Sequence, residues 1–182
     1  MVAAFPKCRT AVINRLFAVA DSDNVNHIDS LARACRHLRR LHIECGILEQ
    51  MLVKLAINQS PALGTRLFPF LNHLYLGQFH ITDGTTLACV MSFPSLVFLS
   101  LSRCDMDETD QFLDQFNQAM PAGGSAVKSF IMRRRSGFYP ASFLIAIAQL
   151  CPRLQKYITT YGSPVFLPAL QSALPNVDVA LF

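Results

Sequence analysis

Charged residues are scarce in this sequence: they make up 15% of its 182 residues, whereas hydrophobic residues make up 52%. A chain of this length and composition can bury a sizeable core as one domain. The apolar fraction suits an array in which every strand and every helix adds residues to the same core. No hydrophobic run is long enough to span a membrane, because the best candidate, residues 138–150, is short and contains Pro140.

Motifs for secretion and for catalysis are also lacking. Lys7 and Arg9 lie too far from the start for a signal peptide, and no apolar run near them is long enough. The six cysteines are scattered, and we expect reduced thiols in a cytoplasmic or nuclear protein. There is no G-x-S-x-G motif and no phosphate-binding loop, and Gly123-Gly124 is better explained as a loop. We therefore predict no enzymatic activity and no cofactor.

The clearest motif is L-x-x-L-x-L-x-x-C, which begins at Leu96. Leu99 and Leu101 alternate with Ser100, as the inward and outward residues of a strand do. Cys104 places a small polar thiol where it can bond to backbone groups of the turn that leaves the strand. The spacing is that of a leucine-rich repeat, L-x-x-L-x-L-x-x-N/C-x-L.

The same frame recurs along the chain, often preceded by an apolar residue and a proline. Proline fits this boundary because its fixed φ and missing N–H suit the end of a helix and the start of a strand. The frames begin at Cys8, Leu38, Leu71, Leu96, Val127, Leu154 and Val177, so successive starts lie 23 to 33 residues apart. From the second frame on, positions four and six are Leu41/Ile43, Leu74/Leu76, Leu99/Leu101, Phe130/Met132, Tyr157/Thr159 and Ala180/Phe182.

The segments between these strands have apolar residues at helical spacing, which predicts helices over 29–35, 84–93, 108–120, 143–150 and 166–174. Strand and helix then alternate about seven times. This alternation predicts an α/β fold, a leucine-rich-repeat solenoid or horseshoe with a parallel concave sheet and convex helices. We expect a single domain over residues 1–182, with about seven irregular repeats that form a truncated array.

A family resemblance rests on the openings F-P-S-L at Phe93 and C-P-R-L at Cys151, and on L-x-L-x-x-C from Leu99. These motifs resemble the cysteine-containing leucine-rich repeats of F-box proteins, and the resemblance covers most of the chain from Phe5 on. It implies a substrate receptor of a cullin-type ubiquitin ligase. The F-box that binds the ligase adaptor has no counterpart in this chain, so we expect adaptor binding only if an F-box lies outside it.

The outward positions of the predicted strands are strongly basic. They hold nine of the 16 Lys and Arg residues and two of the 12 acidic residues, so nine minus two leaves about +7, against +4 for the whole chain. Such a face with aromatic residues between the charges suits an acidic protein segment, although the charges alternatively serve only to solvate the sheet. The predicted partner-binding residues are Arg39, Arg40, His42, His73, Tyr75, Phe98, Arg103, Lys128, Ile131, Arg133, Arg134, Lys156 and Tyr161.

The sequence thus predicts a protein-binding scaffold, the substrate-recognition part of an F-box-like receptor. A nucleic-acid-binding or immune-sensor repeat module is the alternative, and the low net charge disfavours nucleic acid. We expect no membrane partner. We also expect charge reversal at Arg133 and Arg134 to leave thermal stability nearly unchanged, because exposed charges contribute little to folding.

Four possible zinc ligands lie close together in the sequence: Cys35, His37, His42 and Cys45. Zinc needs ligands that converge on one point. The strand frame places Cys35 in the core and His42 on the outward side. We therefore predict a buried thiol beside solvent-facing histidines, and no metal site.

Overall fold

The computed structural model describes residues 7–16, 30–45, 68–135, 137–159 and 166–181. Within these ranges, no helix has both the length and the apolar character needed to cross a lipid bilayer. The strands are β1 (Thr10–Leu16), β2 (Arg40–Cys45), β3 (His73–Gly77), β4 (His80–Ile81), β5 (Phe98–Ser102), β6 (Asp105–Met106), β7 (Ser129–Arg133), β8 (Lys156–Thr159) and β9 (Asp178–Leu181). The helices are α1 (Gly84–Met91), α2 (Asp110–Ala119), α3 (Ala141–Gln149) and α4 (Phe166–Ala173), and residues 30–34 are also helical.

Seven strands form one parallel sheet in the order β1-β2-β3-β5-β7-β8-β9. Each of these strands pairs with the next one along the chain, so the sheet grows in a single direction. The two short strands β4 and β6, which follow β3 and β5, pair in parallel as a second sheet. The predicted α/β class and the predicted parallel sheet are confirmed.

The strands are in register, so that equivalent positions form rows across the sheet. The fourth positions of the frames make one row: Ala11, Leu41, Leu74, Leu99, Phe130 and Tyr157. The sixth positions make another: Ile13, Ile43, Leu76, Leu101, Met132 and Thr159. From β2 to β8 both rows are buried. The alternation read from the sequence is therefore confirmed for these strands, because side chains on a strand point to opposite faces in turn.

The helices supply the rest of the same core. Leu87 and Val90 of α1 and Phe112 and Phe116 of α2 are buried in one cluster with the inward strand residues. Helix α1 begins after Asp83, whose carboxylate accepts hydrogen bonds from the backbone N–H groups of the next turn. The predicted helices are confirmed with small shifts at their ends, except that residue 29 lies outside the described residues.

Cys104 performs the role that its position in the motif predicted. Its side chain is fully buried, and its single S–H can donate to the carbonyl oxygen of Leu76, 3.5 Å from Sγ, or to that of Ser102, 3.7 Å away. The thiol therefore serves backbone groups of two neighbouring strands where the chain leaves the sheet. A buried carbonyl would otherwise lack part of its hydrogen bonding.

The predicted frame of the last strand was wrong. The register places Val179 beside the inward Tyr157 and Leu181 beside Thr159, so Ala180 lies on the outward side. Val177 still makes the predicted turn, donating its N–H to Leu174 O at 3.1 Å, but the strand starts one residue earlier than in the other frames. A slip of one residue exchanges the two faces of a strand. Here it buries valine in place of alanine.

Candidate functional site: the open face of the sheet

The outward rows of the sheet define a surface that we call the open face. Its third-position row runs Thr10, Arg40, His73, Phe98, Ser129, Lys156 and Asp178. Its fifth-position row runs Val12, His42, Tyr75, Ser100, Ile131, Ile158 and Ala180. Because the rows are in register, side chains that are far apart in the sequence lie next to each other here.

Four rings at the centre of the open face form an aromatic cluster, made of His42, His73, Tyr75 and Phe98. The Phe98 ring centroid lies 4.9 Å from that of Tyr75 and 5.5 Å from that of His73. The His42 and Tyr75 centroids are 5.6 Å apart. All four side chains are half-buried, so the rings support one another and still present apolar surface to solvent.

The cluster is bordered by positive charge on the β2 side. Arg40 is exposed and lies directly opposite His73. The pKa of His73 is lowered, mainly by burial and secondly by the positive charge of Arg40. Its ring is therefore largely uncharged at neutral pH. His73 Nδ1 is 2.7 Å from Oδ1 of Asn72, which orients the ring over Phe98. The arrangement combines an aromatic surface with a cation at its edge.

The far end of the open face has a different character. Lys156 of β8 lies next to Asp178 of β9 in the strand register, so the two exposed residues place opposite charges on adjacent strands. Ile131 is half-buried, and Ile158 beside it is only 8% exposed. This end offers a small apolar patch with little net charge. Near the first strands, by contrast, the described cations Arg9, Arg39 and Arg40 lie close together, in the turns before β1 and β2 and at the start of β2.

Arg39 and Lys128 lie at the edge of the open face, where the strands begin. The carbonyl of Arg39 accepts the N–H groups of Asn72 and His73, both at 3.0 Å, and Lys128 repeats this arrangement three strands further along the sheet. Both side chains are exposed. They are available to a ligand that crosses this edge, but they are separated by Asn72 and Val97, which carry no charge.

Arg134 does not belong to the open face. Its Nε lies 3.5 Å from Asp105 Oδ1, and its Nη1 forms an ion pair with Glu108. Nη1 also donates to the carbonyl of Phe138 at 2.8 Å, and the guanidinium lies 5.0 Å from the centre of the Tyr139 ring. The predicted outward orientation was wrong, because the carboxylates of Asp105 in β6 and of Glu108 just after β6 draw the side chain away from the sheet.

Tyr139 completes this arrangement around Arg134. Burial raises the pKa of Tyr139 strongly, which keeps its hydroxyl protonated, and the hydroxyl donates to Cys104 O at 2.6 Å. The guanidinium, the tyrosine and the two carboxylates thus connect the turns that follow β5 and β7. From these contacts we expect Arg134 to stabilise the fold, whereas the sequence alone predicted only a small contribution.

Replacing Arg134 with methionine should lower the free energy of unfolding by about 1–2 kcal/mol, because hydrogen bonds of a half-buried charge are lost. Chemical denaturation measures this difference. The matched control is Arg103→Met, since Arg103 is exposed at the turn after β5, and we expect a change within about 0.5 kcal/mol there. Equal effects of the two substitutions would contradict a structural role for Arg134.

The remaining predicted residues lie apart from the aromatic cluster. Arg133 ends β7 in a row with Ser102 and is half-buried, and Arg103 adopts a left-handed backbone with φ of 57°. Tyr161 lies outside the described residues. The structure therefore brings Arg39, Arg40 and the aromatic cluster together and separates the other members of the predicted site.

Three of the four residues considered as zinc ligands, Cys35, His37 and His42, lie in different surroundings, and the side chain of Cys45 lies outside the described part of the chain. Cys35 is buried near Cys8. Its pKa is raised mainly by burial and to a smaller degree by the neighbouring thiol. His37 stacks on Phe70 and His42 lies in the aromatic cluster. In the ranges that the structure describes, no three His, Cys, Asp or Glu side chains are placed to hold one metal ion.

Lys7, His37 and Phe70 were not among the predicted partner-binding residues, yet they line a pocket with Arg9 and Arg39 beside the open face. Phe70 and His37 precede strands rather than lying in them, so the strand frame did not include them.

Comparisons with models of protein families, with curated proteins and with solved structures find no significant match to this chain.

Proposed function

We propose that this chain is a leucine-rich-repeat module that binds a protein partner on its open face, the concave side of a solenoid. Support for the repeat architecture comes from the recurrent frame, the unidirectional parallel sheet, and the buried Cys104 thiol at its motif position. In such arrays each unit contacts only its neighbours, and the rows of outward residues form an extended binding surface.

The observation that carries the proposal is the half-exposed aromatic cluster with Arg39 and Arg40 at its border. Interfaces gain most of their binding energy from a few aromatic and arginine residues that become desolvated at the centre. Tyr75 and Phe98 are already held in place by their neighbours, so binding costs them little conformational entropy. The adjacent arginines favour a partner segment with acidic residues.

The F-box resemblance suggests the biological setting, in which the partner is a substrate of a ubiquitin ligase. Contact with the ligase adaptor would then require an F-box outside this chain. The alternative of a nucleic-acid-binding or immune-sensor module uses the same repeats. The negative charge of Asp178 next to Lys156 in the register of the open face favours a protein over a nucleic acid strand, because a phosphate backbone needs a continuous positive track.

A random-peptide selection against the purified protein tests the proposal without knowledge of the natural partner. We expect enriched peptides to combine Asp or Glu with apolar residues. The double variant Arg40→Glu/Phe98→Ser should weaken the best peptide by at least about tenfold, because a central aromatic anchor and a steering charge are both lost. Fluorescence anisotropy measures the affinities, and circular dichroism checks that the variant is folded.

The matched control is Arg153→Glu, a charge reversal at an exposed position in the turn before β8. It should leave peptide affinity unchanged. Selected peptides without acidic enrichment, or peptides that bind the double variant as well as the parent, would show that the open face is not the binding surface.

A further inference from the structure

A pocket of about 580 Å³ lies beside the open face, where the first strands begin. Its lining comes from the start of the described chain (Lys7 and Arg9), from the turn before β2 (His37 and Arg39) and from the turn before β3 (Phe70). Of these five lining residues, Arg39 belongs to the partner-binding residues predicted from the sequence, and the other four do not. We propose that this pocket binds a nucleoside phosphate, a function that goes beyond protein binding on the open face, with which the pocket shares Arg39.

Three cations converge on the pocket. The carbonyl of Arg9 accepts the N–H groups of Arg39 and Arg40, both at 2.9 Å, so Arg9 and Arg39 are neighbours in the same row. Lys7 precedes Arg9 by two residues and lines the same space. Among the lining residues that the structure describes, none carries a negative charge. Such a set attracts an anion, and the guanidinium forks match the oxygen atoms of a phosphate.

A phosphate alone does not explain the aromatic part of the pocket. The rings of His37 and Phe70 stack with centroids 5.6 Å apart and an interplanar angle of 27°. Phe70 is nevertheless 50% exposed, so part of its ring stays open to solvent beside the cations. An exposed ring held beside cations offers a stacking surface for a planar base, the contact by which proteins hold nucleobases of any sequence.

The pocket dimensions and surroundings favour a single nucleotide over a longer ligand. Its volume falls within the range of about 300–1,000 Å³ that is usual for small-molecule sites. Along the same row the next residues are Asn72 and Val97, so the positive charge stops within two strands. An acidic peptide would engage the cations but would gain nothing specific from a stacked ring.

Calorimetric titration of the full chain with adenosine monophosphate tests the proposal, with adenosine, ribose 5-phosphate and inorganic phosphate as separate probes. We expect saturable binding of the monophosphate below about 5 mM, at least about tenfold tighter than any of the other three probes. The gain over ribose 5-phosphate measures stacking, and the gain over adenosine measures the phosphate contact.

Two matched pairs of variants locate the site. Phe70→Ser should weaken the monophosphate by roughly fivefold to a hundredfold, the range for loss of base stacking, and should leave inorganic phosphate unaffected. Its control is Phe138→Ser, since Phe138 is 51% exposed and lies far along the chain, in the turn before α3. Phe70→Leu keeps the apolar bulk and serves if the serine variant fails to fold.

The second pair concerns charge. Arg9→Gln should weaken both the monophosphate and inorganic phosphate by roughly tenfold, because a charge-assisted hydrogen bond is lost. Arg153→Gln, the control, should change neither. The proposal is overturned if the monophosphate does not saturate, if it binds no tighter than ribose 5-phosphate, or if Phe70→Leu and Arg9→Gln both bind like the parent. None of these outcomes bears on peptide binding by the open face.

Discussion

Replacing Gly84 with alanine should lower the free energy of unfolding by about 3 kcal/mol, near the upper end for overpacking. Gly84 begins α1 at its contact with α2. A Cβ atom there would lie 2.0 Å from the carbonyl oxygen of Phe112 and 2.8 Å from the backbone nitrogen of Phe116. These are backbone atoms that cannot rotate away, so the two helices would have to separate. Urea denaturation measures the loss.

The sign of this effect is informative, because alanine favours a helix over glycine by about 0.8–1.0 kcal/mol in the absence of packing. A stabilised Gly84→Ala variant would therefore contradict the close approach of α1 and α2. The control is Gly123→Ala, where an added Cβ meets no atom within 4 Å. We expect its stability to remain within about 0.5 kcal/mol of the parent.

Leu99→Ala should cost about 2–5 kcal/mol, the range for large-to-small changes in a core. Leu99 is fully buried at the middle of the sheet, in a row between Leu74 and Phe130. The three side chains pack against the helices, so the cavity left by the substitution cannot collapse easily. Thermal and urea unfolding of the purified variant give the magnitude.

Ser100→Ala provides the comparison from the adjacent position. Ser100 lies on the open face between Tyr75 and Ile131, and although it is only 7% exposed, alanine fills nearly the same volume. We expect a change of less than about 1 kcal/mol, within the range for the loss of one hydroxyl. Similar losses for Leu99→Ala and Ser100→Ala would mean that the two faces of β5 are reversed.

Local alternation was enough to predict most of the core. In β2, β3 and β5 the leucine and isoleucine residues recur at every second position, and only one face of a strand can bury them all. The last strand lacks this discrimination, because Val179 and Leu181 alternate with Ala180 and Phe182 and either pair is apolar. Pairing with β8 decided between them, since it places Val179 beside the buried Tyr157.

The open face could be predicted only in part. The positions of Arg40, His73 and Phe98 in one row follow from the strand frame, because equivalent positions of parallel strands lie side by side. The contacts between the rings do not follow from it. Half-buried histidine and tyrosine side chains can point toward solvent or toward each other, and packing across three strands sets their direction.

Arg133 and Arg134 show where local sequence stops being informative. They are the two residues after the inward Met132, and the strand frame places both of them on the outward side. Arg134 turns away from the sheet because Asp105 and Glu108 of an earlier turn meet it there, a contact between residues 26 to 29 positions apart. The spacing of residues within one strand or helix does not predict this contact of Arg134 with the two carboxylates.

The sequence by itself determined the class of the fold, the order of strand and helix, and the buried rows from β2 to β8, because each depends on the spacing of apolar residues within one strand or helix. The tertiary structure alone decided the frame of β9, the orientation of Arg134, and the pocket that joins Arg9 and Arg39 with Phe70. These features depend on which distant residues become neighbours, and that is fixed only when the strands pair and the turns between them pack.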